Sequence, residues 1–301
     1  MVYKLKAALK DYIWGGTNLK TEWNKQTDLD KVAESWELSF HPDGTGVVVG
    51  GKYDGQKISD VVSKTEWGAN CQDFPFFPVL NKIIDARSNL SVQVHPNDEY
   101  ALKNEGQFGK TEMWHILSSE KGAVLYLGLN RTMKAEEFSQ AISDNSIIDY
   151  LNAVPVHAGE TYFIPSGTLH AIGAGITLFE VQQNSSLTYR VYDYGRLGAD
   201  GKPRQLHVEK AKKVANLNKY VVPNPVRNCL LGSCKYFSAY RYNGSNEFQN
   251  DDSFVSITVV DGDIAVNGQT YKKGETLFAT AGQKISVVGN GEYILTQVEK
   301  Q

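Results

Sequence analysis

The sequence has few of the features that mark membrane, secreted or nucleic-acid-binding proteins. It contains only 3 cysteines and 3 methionines in 301 residues. No apolar run approaches the roughly 18 residues that a membrane-spanning helix requires. The formal net charge of -3 lacks the basic excess of a nucleic-acid-binding surface. We therefore expect neither a membrane protein nor a protein whose main partner is nucleic acid.

The cysteines and the first residues indicate a cytoplasmic protein. Cys71, Cys229 and Cys234 are odd in number and lack zinc-ribbon spacing, so we interpret them as reduced thiols. The segment from Met1 to Trp14 contains lysines but has no apolar centre and no small-residue cleavage site, which is unlike a signal peptide. Both observations favour the cytoplasm.

Glycine and aromatic residues are plentiful by contrast. The chain has 27 glycines, 16 tyrosines and 12 phenylalanines, a composition that favours short strands joined by turns. Short apolar stretches separated by Gly, Asn and Asp turns are typical of a β-sandwich or barrel. Helical spacing is limited to residues 97–104, 133–150 and 208–214, with a break at 144–145. The sequence therefore predicts an all-β fold with a few helices.

The segment with the most distinctive chemistry is SVQVHP, at residues 91–96. Gln93 and His95 lie two positions apart and alternate with Val92 and Val94. In a strand, both polar side chains would therefore face the same side. A buried face carrying an amide and an imidazole surrounds something polar, for which a metal ion is one candidate. An ordinary solvated strand face fits the same spacing.

Two further residues complete a set of metal ligands. Glu112 begins an apolar stretch, and His170 follows a Pro-Ser-Gly turn at the head of another predicted strand. With Gln93 and His95 they supply two nitrogens and two oxygens, which suits zinc with water in an open position. The remaining histidines are in less suitable positions, and we expect structural roles for them: His41, His115, His157 and His207.

An internal repeat predicts two related barrels. GETYF at residues 159–163 recurs as GETLF at residues 274–278, and similar turns and strands follow in both copies. A strand–turn–strand–turn–strand pattern of this kind is typical of jelly-roll barrels. In the second copy Ile285 occupies the position of His170. We therefore expect the C-terminal barrel to lack metal ligands.

The boundary between the barrels is predicted near residues 218–228, where Pro-Asn-Pro resembles a linker. This gives a catalytic domain at residues 1–220, with a helical insertion around 133–152. The second barrel would then occupy residues 221–301.

Seven segments in the same order resemble the type I phosphomannose isomerases of the cupin superfamily, in the shorter form of that family. They are residues 10–16, 34–39, 77–82, 91–96, 109–114, 164–171 and 180–190. The resemblance covers essentially the whole chain. It implies two cupin barrels, the first of them catalytic. It also implies a zinc-dependent interconversion of mannose 6-phosphate and fructose 6-phosphate through an enediol intermediate.

The resemblance also implies roles for individual residues. One zinc ion per chain would be held by Gln93, His95, Glu112 and His170. The catalytic residues would be Arg190, Glu180 and Lys110. The sugar phosphate would be bound by Trp14, Lys82, Ser91 and Lys110. Glu180, Lys110 and a zinc-bound water are all candidates for the general base. Two structural alternatives stand beside these roles: Glu180 could form a buried ion pair with Arg190, and Trp14 could be a core residue.

Ser186 departs from the family's pattern, because an acidic residue commonly lies four positions before the arginine. This favours, as an alternative, a sugar-phosphate sensor of the same fold with weak or no turnover. A second alternative is another metal-dependent cupin enzyme, such as an iron oxygenase with two histidines and one carboxylate. Gln93 argues against it, because a fourth protein ligand would occupy a position that dioxygen needs.

Overall fold

Strands are the main regular secondary structure in the computed structural model, which describes residues 1–198 and 201–300. In chain order they are β1 Val2–Lys6, β2 Ala8–Lys10, β3 Glu34–Leu38, β4 Val47–Val49, β5 Val79–Ala86, β6 Val92–Val94, β7 Glu112–Ser119, β8 Val124–Leu129, β9 Leu151–Pro155, β10 Thr161–Ile164 and β11 His170–Ile172. They continue as β12 Ile176–Gln183, β13 Tyr189–Tyr192, β14 Leu230–Cys234, β15 Phe237–Asn243, β16 Asn246–Gln249, β17 Val255–Asp261, β18 Asp263–Val266, β19 Gln269–Lys272, β20 Thr276–Ala279, β21 Lys284–Gly289 and β22 Glu292–Gln297.

The helices are short and connect strands. The α-helices are α1 Asn18–Thr21, α2 Ile58–Val61, α3 Asp98–Glu105, α4 Ala135–Ser143 and α5 Val208–Val214. Single 3-10 turns occur at Gly51–Tyr53, Lys64–Trp67, Ala69–Cys71 and Ile147–Tyr150. None of the described helices is long and apolar enough to cross a membrane.

All three predicted helices are confirmed, as α3, as α4 followed by a 3-10 turn, and as α5. The predicted break also occurs, because Asn145 adopts a positive φ of 63°. Asp144 Oδ1 accepts a hydrogen bond from Ser146 N, which stabilises the turn. The other helices span one turn or less and were not predicted, since so short a segment shows no apolar periodicity.

The first barrel consists of two antiparallel sheets packed face to face. The six-stranded sheet has the order β10-β7-β12-β5-β3-β2, and the five-stranded sheet has the order β13-β6-β11-β8-β9. Ile84 and Ile116 of the first sheet share one buried apolar cluster with Leu125 and Ile172 of the second. This apolar cluster fills one part of the interior of the first barrel, and polar residues occupy the rest.

The second barrel repeats this arrangement with an apolar interior. Its sheets have the orders β14-β15-β22-β17-β20-β1-β4 and β16-β21-β18-β19. The run β10-β7-β12-β5 therefore recurs as β20-β17-β22-β15. Equivalent backbone bonds confirm the repeat: Gly159 N donates to Ile116 O, and Gly274 N donates to Val259 O. Ile285 lies fully buried in the core of this barrel. The predicted two-barrel, all-β fold is thus confirmed.

Strands from the beginning of the chain complete the sheet of the second barrel. β1 pairs with β20, with Tyr3 opposite Phe278, and β4 pairs with the other edge of β1. The predicted division into residues 1–220 and 221–301 follows the linker, but it separates β1 and β4 from the sheet to which they are hydrogen-bonded. The alternation of side chains along β1 predicts a strand without specifying its partner.

Candidate metal centre and substrate cavity

One row of polar and aromatic side chains crosses the six-stranded sheet of the first barrel. Lys82 on β5 lies opposite Trp36 on β3 and opposite Glu180 on β12. Glu180 in turn lies opposite Trp114 on β7. Residues in register on adjacent strands share a face and are close enough to interact. Strand pairing therefore places an ammonium, a carboxylate and two indoles side by side.

A second row crosses the five-stranded sheet. Gln93 on β6 lies opposite His170 on β11 and opposite Arg190 on β13. His95 follows directly after β6. The centroids of the Trp114 and His170 rings are 5.3 Å apart, so the two rows meet inside the barrel.

The four predicted metal ligands come together where the rows meet. Ligand atoms of His95, Glu112 and His170 all lie within 4.8 Å of one another, and the three side chains are buried. His170 Nε2 lies 3.1 Å from His95 Nε2 and 3.3 Å from Glu112 Oε1. Gln93 Nε2 lies 3.3 Å from His170 Nε2. Rotating the Gln93 side-chain amide by half a turn would put its oxygen in the position of this nitrogen.

Backbone carbonyls orient both histidines toward this point. His95 Nδ1 lies 2.8 Å from Leu187 O, and His170 Nδ1 lies 2.8 Å from Thr168 O. When Nδ1–H donates to a carbonyl, Nε2 carries the free lone pair. Burial, together with the charge of Lys110, lowers the pKa of His170 to about 3 and the pKa of His95 well below its ordinary value. Both Nε2 atoms are thus free of protons at neutral pH.

Glu112 shows that a cation fits at this position. Its side chain is 0% exposed, and neither carboxylate oxygen accepts a hydrogen bond of acceptable geometry. Lys110 Nζ is the nearest cation, at 2.7 Å from Oε2. Burial raises the pKa of Glu112 despite this lysine. A buried carboxylate with unused oxygens is costly unless a cation neutralises it. Two imidazole nitrogens beside it make a divalent ion suitable.

Two buried lysines face three carboxylates around the metal centre. Lys110 Nζ also lies 3.8 Å from Glu180 Oε1. Lys82 Nζ lies 3.2 Å from Glu180 Oε2 and 3.4 Å from Glu34 Oε2. Burial alone would lower the pKa of Lys82, but Glu180 and Glu34 outweigh it and raise this pKa. Burial likewise opposes ionisation of Glu180, yet Lys110 and Lys82 lower the pKa of Glu180.

Arg190 does not pair with Glu180 within the described residues, so the alternative of a buried ion pair between them is wrong. Glu180 instead accepts a hydrogen bond from Trp114 Nε1 at 2.9 Å, besides its contacts with the lysines. Arg190 Nε donates to Ser91 Oγ at 3.3 Å, and Nη1 donates to Gln205 O at 3.0 Å. Both partners are neutral, which leaves the guanidinium charge available to an anion.

A cavity of about 230 Å³ connects the metal centre with the surface. The predicted substrate and catalytic residues that line it are Trp14, Lys82, Ser91, Lys110, Glu180 and Arg190. Gln93 lines it too, and the other three predicted ligands are in contact with Gln93 or Lys110. Trp14 contacts the cavity and also belongs to the buried apolar cluster of the barrel. It is therefore both a lining residue and a core residue.

Glu34, Trp36 and Arg204 are among the residues that line this cavity and were not predicted. Trp36 Nε1 donates to Glu34 Oε2 at 2.7 Å, and both residues line the cavity. Their spacing of two positions on β3 is the same signal that identified Gln93 and His95. Arg204 also lines the cavity, and its Nε donates to Asp193 Oδ2 at 2.6 Å. It lies in a polar segment without periodicity, so no sequence pattern predicted it.

Ser186 lies at the mouth of the cavity, next to a carboxylate from another loop. Its Oγ donates to Asp43 Oδ2 at 3.3 Å. The Asp43 side chain is 60% exposed. A carboxylate is thus present beside position 186, although the chain has a serine there.

The other histidines lie outside the metal centre. His115 points away from Glu112, and its Nδ1 lies 2.8 Å from Thr161 Oγ1. The His157 side chain is 74% exposed. His207 Nδ1 accepts a hydrogen bond from Arg190 N, so it supports the strand that carries the arginine.

Comparison with known proteins gives consistent matches. Residues 2–114 match the family model described as phosphomannose isomerase type I, catalytic domain. The chain is 35% identical over 286 residues to a mannose-6-phosphate isomerase of Streptococcus mutans, covering 91% of this chain and 90% of that protein. It is 36% identical over 292 residues to mannose-6-phosphate isomerase ManA of Bacillus subtilis, covering 92% of each.

A solved structure agrees with these matches. The crystal structure of the mannose 6-phosphate isomerase from Bacillus subtilis aligns with a TM-score of 0.88 at 31% identity. The alignment covers 98% of this chain and 99% of the other. The similarity therefore extends over both barrels.

Proposed function

We propose a zinc-dependent mechanism for this chain. The chain belongs to the type I phosphomannose isomerase family and is a mannose-6-phosphate isomerase. Its reaction is the interconversion of mannose 6-phosphate and fructose 6-phosphate. Gln93, His95, Glu112 and His170 would hold one zinc ion. The observation that carries this proposal is the fully buried Glu112, whose carboxylate oxygens lie 3.6 Å and 3.3 Å from the Nε2 atoms of His95 and His170.

The isomerisation requires an open sugar chain and the transfer of a proton between neighbouring carbons. Negative charge develops on the oxygens of the enediol intermediate. Zinc, when bound, supplies a Lewis acid for those oxygens. The remaining tasks fall to the side chains that line the cavity: they orient the sugar, accept and return the proton, and bind the phosphate.

Glu180 is the general base that the geometry favours. It lines the cavity, and two lysines hold it in the ionised form despite its burial. Its hydrogen bond from Trp114 fixes the carboxylate in one orientation. Lys110, between Glu112 and Glu180, would then stabilise charge on the substrate oxygens as an ammonium. Arg190 would add a planar, permanently charged group on the opposite side of the cavity.

The phosphate group is best placed toward the mouth of the cavity. Lys82 and Lys110, to which the resemblance assigned it, are already paired with carboxylates. A dianion beside those carboxylates would be repelled. Arg204 also lines the cavity, and because it shares the one carboxylate of Asp193 with Arg196, the two arginines keep a net positive charge. We therefore assign Arg204 to the phosphate and Lys82 to Glu180 as its counter-ion.

Two measurements test these assignments. A coupled assay follows fructose 6-phosphate formed from mannose 6-phosphate before chelation, after chelation, and after zinc is restored. Turnover that disappears with the metal and returns with zinc is expected. Turnover that persists at full rate in metal-free protein would refute the zinc dependence. Binding of the sugar phosphate without turnover would indicate the sensor alternative.

The phosphate assignment has its own test in Arg204→Gln. We expect KM for mannose 6-phosphate to rise on the order of tenfold with little change in kcat, because the contact is the same in ground and transition states. Arg87→Gln is the matched control, since Arg87 is exposed and does not line the cavity. An unchanged KM in Arg204→Gln would remove this residue from the phosphate site.

A further inference from the structure

Both neighbours of Lys110 are held by side chains from other parts of the chain, the buried Gln183 and the partly buried Asp98. Gly109 N donates to Asp98 Oδ1, and Thr111 N donates to Gln183 Oε1, each at 2.9 Å. Gln183 Nε2 also donates to Asp98 Oδ1 at 2.8 Å. The two acceptors are therefore connected to each other, and the backbone on either side of Lys110 is fixed.

Gly109 crosses the segment before α3 at very close range. A Cβ atom at this position would lie 2.4 Å from Asn97 C and 2.6 Å from Pro96 O, so only glycine permits the crossing. Lys110 N donates to Pro96 O at 3.0 Å. Pro96 directly follows the metal ligand His95. Any displacement of this crossing would therefore move Lys110 and the metal centre relative to each other.

The second barrel binds the other oxygen of Asp98. Tyr236 lies in the turn between β14 and β15, and its hydroxyl donates to Asp98 Oδ2 at 2.7 Å. The tyrosine is 8% exposed, and its ring centroid is 6.2 Å from that of Phe74. Burial and the Asp98 carboxylate raise the pKa of Tyr236, so the hydroxyl remains a donor at neutral pH.

We propose that Tyr236 is a positioning residue for the isomerase reaction, through which the C-terminal barrel holds Lys110 in place by way of Asp98 and Gly109. The C-terminal barrel would thereby contribute to turnover. This inference rests on the role proposed above for Lys110, whose Nζ must stay close to both Glu112 and the substrate oxygens.

The expected effect follows from how little displacement the site tolerates. Lys110 Nζ lies 2.7 Å from Glu112 Oε2 and 3.3 Å from His95 Nε2. A misplacement of about 1 Å can cost on the order of 100-fold in rate. Tyr236→Phe retains the ring and its packing and removes one hydrogen bond. We therefore expect a smaller loss, on the order of tenfold in kcat.

The test compares two tyrosines of the same barrel. Tyr236→Phe should lower kcat about tenfold while KM stays within about twofold and zinc content is unchanged. Tyr240→Phe is the matched control, because the Tyr240 hydroxyl also donates to a carboxylate, that of Glu299, at 2.7 Å. It lies outside the network around Lys110, so its kcat should equal that of the parent.

A second background distinguishes positioning from a general loss of stability. The second background is Lys110→Arg, in which the ammonium group that Tyr236 is proposed to position is absent. Adding Tyr236→Phe to this variant should change kcat by less than about twofold. Normal kcat in Tyr236→Phe, an equal loss in Tyr240→Phe, or an undiminished tenfold loss in the Lys110→Arg background would each overturn the inference. The parent chain is assayed in parallel. If the parent turns over and one of these results is found, only the inference about Tyr236 is overturned. If the parent itself shows no turnover, the proposed function is overturned.

Discussion

Replacing Lys82 by methionine should destabilise the protein strongly, although the two side chains have similar length. Lys82 Nζ lies between Glu180 and Glu34, at 3.2 Å and 3.4 Å, and the lysine is 6% exposed. At an effective dielectric constant of 20, each contact is worth about 5 kcal/mol before desolvation is subtracted. Breaking a buried ion pair by removing one partner costs about 3–5 kcal/mol net.

The expected loss can be measured as a shift in unfolding. For a chain of 301 residues, a loss of about 3–5 kcal/mol corresponds to a fall in Tm of roughly 5–8 °C. Urea unfolding in the presence of chelator gives the change in free energy without a contribution from bound metal. The control is Lys103→Met, because Lys103 is exposed on α3, and it should change stability by less than about 0.5 kcal/mol.

The dependence on pH has a defined sign. The pKa of Lys82 is raised in the folded protein, so its contribution is fully present below the ordinary lysine pKa of about 10.4 and is lost as the pH rises from there through the raised pKa. The pKa of Glu180 is lowered, so its contribution is lost as the pH falls below about 4. The difference between parent and Lys82→Met should therefore be constant from pH 6 to 9 and shrink at acid pH.

A double variant tests whether charge is the cause. In the Lys82→Met background, Glu34→Gln removes one of the two carboxylates that lose this lysine as a partner, and should restore about half of the lost stability. A Lys82→Met protein within 1 kcal/mol of its parent, or a double variant less stable than the single one, would refute the buried ion pairs as the source of stability.

Three further predictions concern the metal, the guanidinium and a buried histidine. His170→Ala should lose zinc and activity together, and metal analysis of the parent should give one tightly held ion per chain; full zinc content in the variant, or two ions in the parent, would contradict the ligand set. Arg190→Lys should lower kcat on the order of 100-fold with zinc content unchanged; near-normal kcat in a destabilised protein would make Arg190 structural. Burial and then Arg241 lower the pKa of His115 to about 4, so the parent should lose stability as the pH falls from about 6.5 to 4. His115→Gln should flatten this part of the urea-unfolding profile, and an unchanged slope would argue against a neutral buried imidazole.

The fold class and the grouping of His95, Glu112 and His170 could be predicted because both depend on local patterns. Turn residues at short intervals indicated the strands, and the repeat indicated two barrels. Gln93 and His95 alternate with valines, and alternation alone decides which face of a strand a side chain occupies. His170 could be distinguished from the other histidines because it follows a Pro-Ser-Gly turn at the head of a predicted strand.

The partners of individual charges could not be predicted in the same way. Whether Glu180 meets Arg190 or Lys82 depends on the register between strands that are far apart in sequence. That register is fixed by the packing of whole sheets rather than by any single segment. The contact between Tyr236 and Asp98 joins the two barrels and depends on how they pack together. The pairing of β1 with β20 has the same origin.

That pairing also bears on how the chain is made. Met1 and Thr280 are hydrogen-bonded across 279 positions, so β1 is synthesised long before its partner strand β20. Contacts between such distant residues slow folding. Meanwhile β1 presents an unpaired edge, which favours association with other chains. Production of this enzyme should therefore be sensitive to interruption late in synthesis, because a chain that stops before β20 lacks the strand that covers its own beginning.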